Sequence, residues 1–145
     1  MQDHPKAIGD RSVLAVMMAL QEARVPFALP FGENTRYDLI VELGGNLVRV
    51  QCKTGRLKGG AVWFRTSSSH AHHLSKRHLS RDYLDDVEYF AVHCPETTGV
   101  YLIPIEQLQT RTEAALRVEA PRNQQRRRIR FAADYEIAKV SVVAA

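Results

Sequence analysis

The sequence predicts an α/β fold in which a mixed, mostly antiparallel sheet is flanked by helices. One amphipathic helical segment lies near the amino terminus, several apolar runs with strand character follow it, and short helical patterns close the chain. At 145 residues, without a long linker rich in Gly, Ser or Pro, the chain is expected to form one domain over residues 1–145. Its 45% apolar and 25% charged residues are typical of globular proteins and exclude wholesale disorder.

The first element is a helix predicted over residues 13–23, a segment made mostly of good helix formers. The apolar residues that share one face of this helix are Val13, Leu14, Met17 and Leu20. Asp10 is placed to cap the helix, and Pro26 ends it or opens the segment that follows.

A β-hairpin is predicted next, with strands at 37–43 and 47–53. The strands are joined by Gly44-Gly45-Asn46, which is a strong signal for a tight hairpin turn. Side chains alternate along a strand, so the apolar residues of the second strand face the core. Gln51 and Lys53 then stand on the opposite face, or in a cleft at the end of the sheet.

The later part of the chain alternates between strands and polar segments. Strands are predicted at 61–66, 87–94, 100–103, 116–118 and 129–131, and short helices at 105–109 and 132–140. The polar segment 66–81 is expected to form a long exposed loop. Trp63 and Phe64 lie within a predicted strand and are expected to be packing residues.

The chain carries no signal of a membrane or secreted protein. It has no run of about 18 apolar residues, the length that a bilayer span needs, and its first residues lack the apolar segment of a secretory signal. Cys52 and Cys94 are too few for a disulfide framework, which fits a reducing compartment. We therefore expect a cytoplasmic protein that has no membrane partner.

Positive charge is concentrated in one stretch of the sequence. Residues 43–81 contain no Asp or Glu but eight Lys and Arg residues, although the net charge of the whole chain is only +4. Clustered cations attract phosphate backbones by counterion release and by steering. The stretch therefore favours nucleic-acid binding over the alternative of a solvated basic face without a ligand.

This basic stretch also supplies the candidate DNA contacts. Arg56 and Lys58 come just after the second hairpin strand and are well placed to contact phosphates. The full set of candidate DNA-binding residues is Arg56, Lys58, Arg65, His72, His73, Lys76 and Arg77. The arginines at 126–128 are expected either to touch the DNA backbone or to belong to a solvated tail.

Asp38 joins Gln51 and Lys53 in either of two hairpin registers. If Gly44-Gly45 forms the turn, Asp38 lies opposite Gln51, and if Gly45-Asn46 forms it, Asp38 lies opposite Lys53. Both registers keep the three side chains on one face, because the two differ by an even offset. A carboxylate, an amide oxygen and an ammonium group are therefore expected within one small volume.

These three groups suit metal-assisted hydrolysis of a phosphodiester. Mg²⁺ prefers oxygen ligands and keeps several waters, so one or two carboxylates and a substrate phosphate are sufficient to hold it. A nearby lysine can orient the attacking water and offset negative charge in the transition state. The alternative is an ordinary Asp–Lys pair across two strands, which would be weakly stabilising and without catalytic role.

The sequence around these residues resembles the PD-(D/E)xK nuclease superfamily, and within it the group I intron-associated homing endonucleases, whose variant motif has Gln where most members have Asp or Glu. The segments that carry the likeness are FGENTRYDL at 31–39, RVQCKTG at 49–55, VEYFAV at 87–92, CPE at 94–96 and VYLIP at 100–104. The likeness extends over residues 8–108, which leaves 109–145 as a basic C-terminal extension. The D…QxK motif alone is degenerate, and the surrounding segments are much more specific.

The resemblance implies a restriction-endonuclease-like core and a Mg²⁺-dependent endonuclease, with Mn²⁺ expected to substitute. It implies that the Asp38 carboxylate and the backbone carbonyl of Cys52 are metal ligands, with Gln51 in the slot of the usual acidic ligand. Lys53 would then position the attacking water. We expect Cys52 itself to be a small core residue rather than a nucleophile.

The sequence departs from this family in its first helix, where many members carry a Glu that completes the site. Asp10 is the nearest acid and replaces this Glu in one interpretation, which makes it a fourth candidate catalytic residue, whereas in the other it is only an N-cap. Glu22 lies three turns further along and is the weaker candidate.

Double-stranded DNA is the expected partner. One domain with one site cuts one strand, so we expect a homo-oligomer, either a dimer or a tetramer. Two alternatives remain open. One is a Holliday-junction-resolvase-like or repair nuclease, and the other is a non-catalytic DNA-binding module on the same scaffold, which the absence of the helical Glu favours.

Overall fold

The computed structural model describes residues 4–32, 34–70, 79–82, 86–108, 112–120, 123 and 129–139. Its longest helix, α1 (Pro5–Glu22), begins eight residues before the predicted start. Pro5 is preset for the first helical position, and the His4 ring caps the helix by accepting a hydrogen bond from the Lys6 N–H at 3.2 Å. The prediction that Asp10 is the N-cap is therefore wrong, because Asp10 lies in the second turn of α1.

The described strands form three sheets. Their bounds are β1 Phe27–Ala28, β2 Leu39–Leu43, β3 Asn46–Thr54, β4 Arg56–Lys58, β5 Ala61–Arg65, β6 Ser67–His70, β7 Leu79–Asp82, β8 Tyr89–Cys94, β9 Gly99–Pro104 and β10 Glu113–Arg117. The largest sheet has the order β1-β2-β3-β8-β9, in which β3 and β8 run parallel and the other neighbours antiparallel. The predicted mixed, mostly antiparallel sheet is thus confirmed.

The hairpin of β2 and β3 adopts the first of the two predicted registers. Leu43 pairs with Asn46, so the turn consists of Gly44 and Gly45. Both glycines have positive φ, at 56° and 81°, which is the conformation that a two-residue turn between twisted strands requires. Leu39, the first residue of β2, pairs with Val50, and Asp38 lies immediately before it. Strand β3 continues four residues beyond Val50, to Thr54.

The five-stranded sheet carries a hydrophobic core on each face. On one face, Val16 and Leu20 of α1 pack with buried residues of β2 and β3. On the other, β5 and β10 contribute Val62, Phe64, Ala114 and Leu116. Consecutive residues of β8 alternate between the two cores, as the pleat demands. Helix α1 and the three-stranded sheet β10-β5-β4 therefore cover opposite faces, with β3 between them.

The predicted loop at 66–81 is wrong for the residues that the structure describes there. β6 and β7 pair antiparallel, from Ser67 opposite Asp82 to His70 opposite Leu79. Strand pairing uses backbone N–H and C=O groups, so a polar sequence without apolar alternation does not prevent it. Residues 71–78 lie outside the described part of the chain.

The closing elements are shorter than predicted. The segment at 105–109 forms a 3-10 turn over Ile105–Gln107, and the segment at 132–140 forms a second 3-10 turn over Ala132–Tyr135 followed by one helical turn at 137–139. Phe131 makes only an isolated bridge to Arg117 where a strand was expected. The strand expected at 116–118 is present as β10 and begins earlier, because all five of its residues pair with β5. No helix within the described residues is long and apolar enough to cross a membrane.

Gly55 links β3 to β4 at a point of close packing. A Cβ atom there would lie 2.6 Å from Val62 Cγ1 and 2.9 Å from Val92 Cγ1. We expect Gly55→Ala to lower the free energy of unfolding by about 1–3 kcal/mol in urea denaturation, the usual cost of overpacking a core. The matched control is Gly9→Ala in α1, where nothing lies within 4 Å of the added atom. Gly9→Ala should raise the free energy of unfolding by roughly 0.5–1 kcal/mol. A Gly55→Ala protein as stable as the wild type would contradict the close packing at Gly55.

Candidate active site

The site is built beside the first residue of β2, where β3 extends beyond its pairing with β2 and stays paired with β8. The Asp38 N–H donates to the Val50 carbonyl at 2.9 Å, and the Cys52 N–H donates to Asp38 Oδ2 at 2.9 Å. The carboxylate is thereby fixed against the edge of β3. In a strand, the carbonyl and N–H of one residue point to the same edge. The Cys52 carbonyl therefore points toward the edge that holds Asp38.

Gln51 and Lys53 flank Cys52 on β3, and their side chains stand on the sheet face that carries Phe90. Gln51 pairs with Phe90 of the parallel strand β8. The Lys53 ammonium lies 5.5 Å from the centroid of the Phe90 ring, a distance at which the ring attracts a cation. Because Phe90 is buried, it gives Lys53 a fixed support at the end of the sheet. This location is the face opposite to that of Val50 and Cys52, as the alternation along β3 predicts.

Burial and neighbouring charges set the protonation of Asp38. Removal from water raises the pKa of the carboxyl above its ordinary 3.8. The hydrogen bond from Cys52 and the positive charge of Lys53 act against this rise, and the negative charge of Asp10 adds to it. Asp10 of α1 is thus close enough to influence Asp38 electrostatically, although the two residues are far apart in sequence. A cation between the two carboxylates would remove their repulsion.

A polar network joins α1 to the end of β3. Ser12 Oγ lies 2.6 Å from Thr54 Oγ1 and 3.2 Å from His93 Nδ1, and the Ser12 residue is buried. Thr54 directly follows Lys53, and Ser12 lies two positions after Asp10. The network therefore fixes the helix that carries Asp10 relative to the strand that carries Lys53. No local pattern in the sequence marks these residues, because the hydrogen bonds connect positions 42 and 81 residues apart.

The pKa of His93 is lowered from its ordinary 6.5, first by burial and then by the positive charge of Arg56, while Glu96 acts in the opposite direction. A histidine whose folded pKa is lowered binds protons more readily in the unfolded chain, so its contribution to stability is lost as pH falls below 6.5. We expect the midpoint temperature of thermal unfolding to decrease as the pH is lowered from about 7 to about 5. His93→Asn, which keeps an acceptor near Ser12, should flatten this decline, and an unchanged pH slope would contradict the assignment.

The donor atoms at this site suit a hard divalent cation. Asp38, Gln51 and the Cys52 carbonyl offer only oxygen atoms, which Mg²⁺ prefers, and Asp10 adds a second carboxylate nearby. The described residues contain no group of three or more His, Cys, Asp or Glu side chains able to hold a metal. Burial raises the pKa of the Cys52 thiol, which keeps it protonated and supports its role as a core residue.

The candidate DNA-binding residues are only partly described. Arg56, Lys58 and Arg65 are exposed and line a groove of about 650 Å³ that also includes Thr54. His72, His73, Lys76 and Arg77 lie outside the described residues, as do the arginines at 126–128. Phe64 is buried as expected, but the prediction that Trp63 is a packing residue is wrong. Its side chain points away from the core, and the residue is 40% exposed.

Taken together, the mixed sheet, the helix on one face and the carboxylate beside a Gln-x-Lys strand define a restriction-endonuclease-like protein. A model of the PD-(D/E)XK endonuclease family matches residues 3–138. The chain therefore belongs to the PD-(D/E)XK endonuclease family, and both the predicted fold class and the resemblance found in the sequence are confirmed.

Comparison with solved structures agrees with this fold. The chain is similar to a bacterial homing endonuclease, I-Ssp6803I, with a TM-score of 0.74 and 20% sequence identity. The match covers 94% of this chain and 90% of that chain, so the two share their fold over nearly the whole length. No curated protein matches the chain in sequence.

Proposed function

We propose that this protein is a Mg²⁺-dependent endonuclease of the homing-endonuclease type that hydrolyses phosphodiester bonds in double-stranded DNA. The observation that carries the proposal is the Asp38 carboxylate, fixed by the Cys52 N–H at 2.9 Å and electrostatically coupled to Lys53 at the end of the hairpin. An ordinary surface Asp–Lys pair would be solvated, whereas burial holds the pKa of Asp38 above its usual value.

In this proposal, Asp38, Gln51, the Cys52 carbonyl and Asp10 hold the ion. Bound there, Mg²⁺ would polarise the phosphoryl oxygen and lower the pKa of a coordinated water. Mn²⁺ is expected to substitute because it accepts the same oxygen donors. The Ser12–Thr54–His93 network supports this arrangement by fixing α1, and with it Asp10, against the end of β3.

Lys53 is the residue that would act on the attacking water. Its ammonium group, held above the Phe90 ring, donates hydrogen bonds that orient the water toward phosphorus. The same charge offsets the negative charge that develops on the phosphoryl group in the transition state. The positive charge of Lys53 also favours the ionised form of Asp38, which the ion requires.

Gln51 distinguishes this site from one with three carboxylates. A neutral amide oxygen in place of an acid leaves less negative charge to attract a cation in the free protein. We therefore expect weak metal affinity in the absence of DNA and stronger affinity when a DNA phosphate completes the site. Thermodynamic linkage then requires the metal to strengthen DNA binding by the same factor.

Cleavage of both strands requires more than one copy of this site. We propose a homo-oligomer, either a dimer or a tetramer, whose sites face the two strands of one duplex. Sedimentation at assay concentration, with and without DNA, tests this. A monomer under both conditions would remove the inference.

The proposed activity is tested by incubating the protein with a plasmid library of random inserts in Mg²⁺, with EDTA as the blank. We expect metal-dependent cleavage at a restricted set of long sites. Branched four-way junctions offered in parallel separate this outcome from a junction-resolving activity, which would cut the junctions in preference to duplex. Binding without cleavage of any substrate would support a non-catalytic module instead.

A further inference from the structure

The outer face of the three-stranded sheet β10-β5-β4 is the face turned away from the hydrophobic core. Along β5, Val62 and Phe64 point into the core, so Ala61, Trp63 and Arg65 point outward. Residues paired across antiparallel strands share a face, so their partners on β4 and β10 also point outward. We refer to this surface as the outer face.

The outer face has a defined pattern of charge. Lys58 and Arg117 flank Ala61, Arg56 and Ala115 flank Trp63, and Glu113 stands beside Arg65. These described residues of the outer face therefore include four positively charged side chains and one negatively charged side chain. Alternate residues of a strand lie roughly 6.6 Å apart, so Arg56 and Lys58 form a row of positive charge along one edge. Such a row attracts a polyanion.

Trp63 lies in the centre of this pattern. Its indole N–H donates to the Lys58 carbonyl at 3.1 Å, which restricts the orientation of the ring. The residue paired with it on β10 is Ala115, which has a small side chain. A large aromatic group that remains 40% exposed but is fixed in orientation offers a flat apolar surface to a ligand at low entropic cost.

The outer face begins next to the candidate active site along the chain. Thr54, Arg56, Lys58, Trp63, Arg65 and Glu113 line one groove of about 650 Å³. Thr54 directly follows Lys53, so the groove begins one residue beyond the proposed catalytic lysine. A ligand strand that reaches Lys53 and continues past the end of β3 would run toward this groove.

We propose that the outer face is a contact surface for duplex DNA, in which Trp63 packs directly against a deoxyribose or a base edge. Arg56, Lys58 and Arg65 bind the flanking phosphates of the same strand. Phosphate contacts alone carry no sequence information, whereas a contact to a base edge does. This inference rests on the proposed function, because it assumes that DNA is the substrate, and it names Trp63 as a residue that positions the duplex.

Trp63 is the single tryptophan of the chain, so its fluorescence reports on this contact alone. The protein is titrated in EDTA and low salt with an unlabelled random-sequence duplex, with excitation where tyrosine does not absorb. We expect the tryptophan emission to change in intensity and wavelength and to saturate with the DNA. Anisotropy of a separate fluorescein-labelled duplex measures binding independently in the same buffer.

Three variants make the test specific. Trp63→Ala should weaken DNA binding in the anisotropy assay by about tenfold, and Trp63→Phe should recover most of the loss because an aromatic ring remains. Met18→Ala is the matched control, since Met18 is 60% exposed on α1, which covers the opposite face of the large sheet. It should bind as the wild type does. Circular dichroism of each variant confirms that the fold is retained.

The outcomes separate this inference from the proposed function. DNA binding with unchanged tryptophan emission, or Trp63→Ala binding as tightly as the wild type, would overturn the role of Trp63 and leave the nuclease proposal standing. No binding of any duplex would overturn both. A loss of binding in Trp63→Ala that Trp63→Phe does not recover would show that the indole acts through its hydrogen bond to Lys58, and would overturn the direct contact.

Discussion

Lys53→Met is expected to lower the single-turnover rate of DNA cleavage by about a thousandfold at saturating Mg²⁺. Methionine keeps most of the apolar stem that packs toward Phe90 but removes the ammonium group that orients water and offsets charge. Because this group acts mainly in the transition state, the affinity for DNA should change little. The measurements are a quench-flow cleavage assay and DNA anisotropy on the same preparation.

The matched control for this variant is Lys139→Met. Lys139 is an exposed lysine that pairs with Asp134 at 3.4 Å, and it lies near the end of the described chain. The Lys139→Met protein should cleave DNA at the wild-type rate. Residual activity of Lys53→Met within a few-fold of the wild type would mean that the observed cleavage arises from a contaminant or from another site.

Asp38→Asn is expected to lower cleavage by a factor of at least about a thousand, because it removes the carboxylate proposed to hold the ion. The same substitution should not lower stability in the absence of metal. Burial raises the pKa of Asp38, so its ionisation at neutral pH opposes folding, and the neutral amide can still accept the hydrogen bond from the Cys52 N–H. Thermal unfolding in EDTA should give a midpoint equal to or above that of the wild type.

Asp134→Asn serves as the control for Asp38→Asn, since it removes an exposed carboxylate from the ion pair with Lys139. It should leave both cleavage and the metal response unchanged. An Asp38→Asn protein that is markedly less stable in EDTA would indicate that the carboxylate is a structural element of the hairpin. Full activity of the variant would remove Asp38 from the site altogether.

The hairpin was predictable because local chemistry determines it. Gly44 and Gly45 accept the positive φ values that a two-residue turn requires, and the alternation of apolar residues along β3 sets its faces. Together these two features place Asp38 next to the strand of Gln51 and Lys53. The fold class followed from the same patterns, and the family resemblance added the restriction-endonuclease-like core.

Other features depended on a helix cap of unusual residue type or on strand pairing that the apolar pattern does not display. The beginning of α1 is set by Pro5 and the His4 ring, so the helix starts earlier than its apolar pattern suggests, and Asp10 becomes a helical residue rather than a cap. The pairing of β6 with β7 depends on backbone hydrogen bonds between polar segments. Trp63 was predicted to be a packing residue because it lies within a strand, and the burial pattern of β5 shows that it points outward.

We propose that Asp38, Gln51 and the Cys52 carbonyl bind one divalent cation beside Lys53 when DNA completes the site. Mn²⁺ binding measured by electron paramagnetic resonance tests it most directly, in the Lys53→Met background so that the DNA stays intact. We predict weak binding without DNA, one Mn²⁺ per chain at roughly 5–150-fold higher affinity with duplex, and loss of this binding on adding Asp38→Asn. Tight binding without DNA, or binding that survives Asp38→Asn, would contradict the claim.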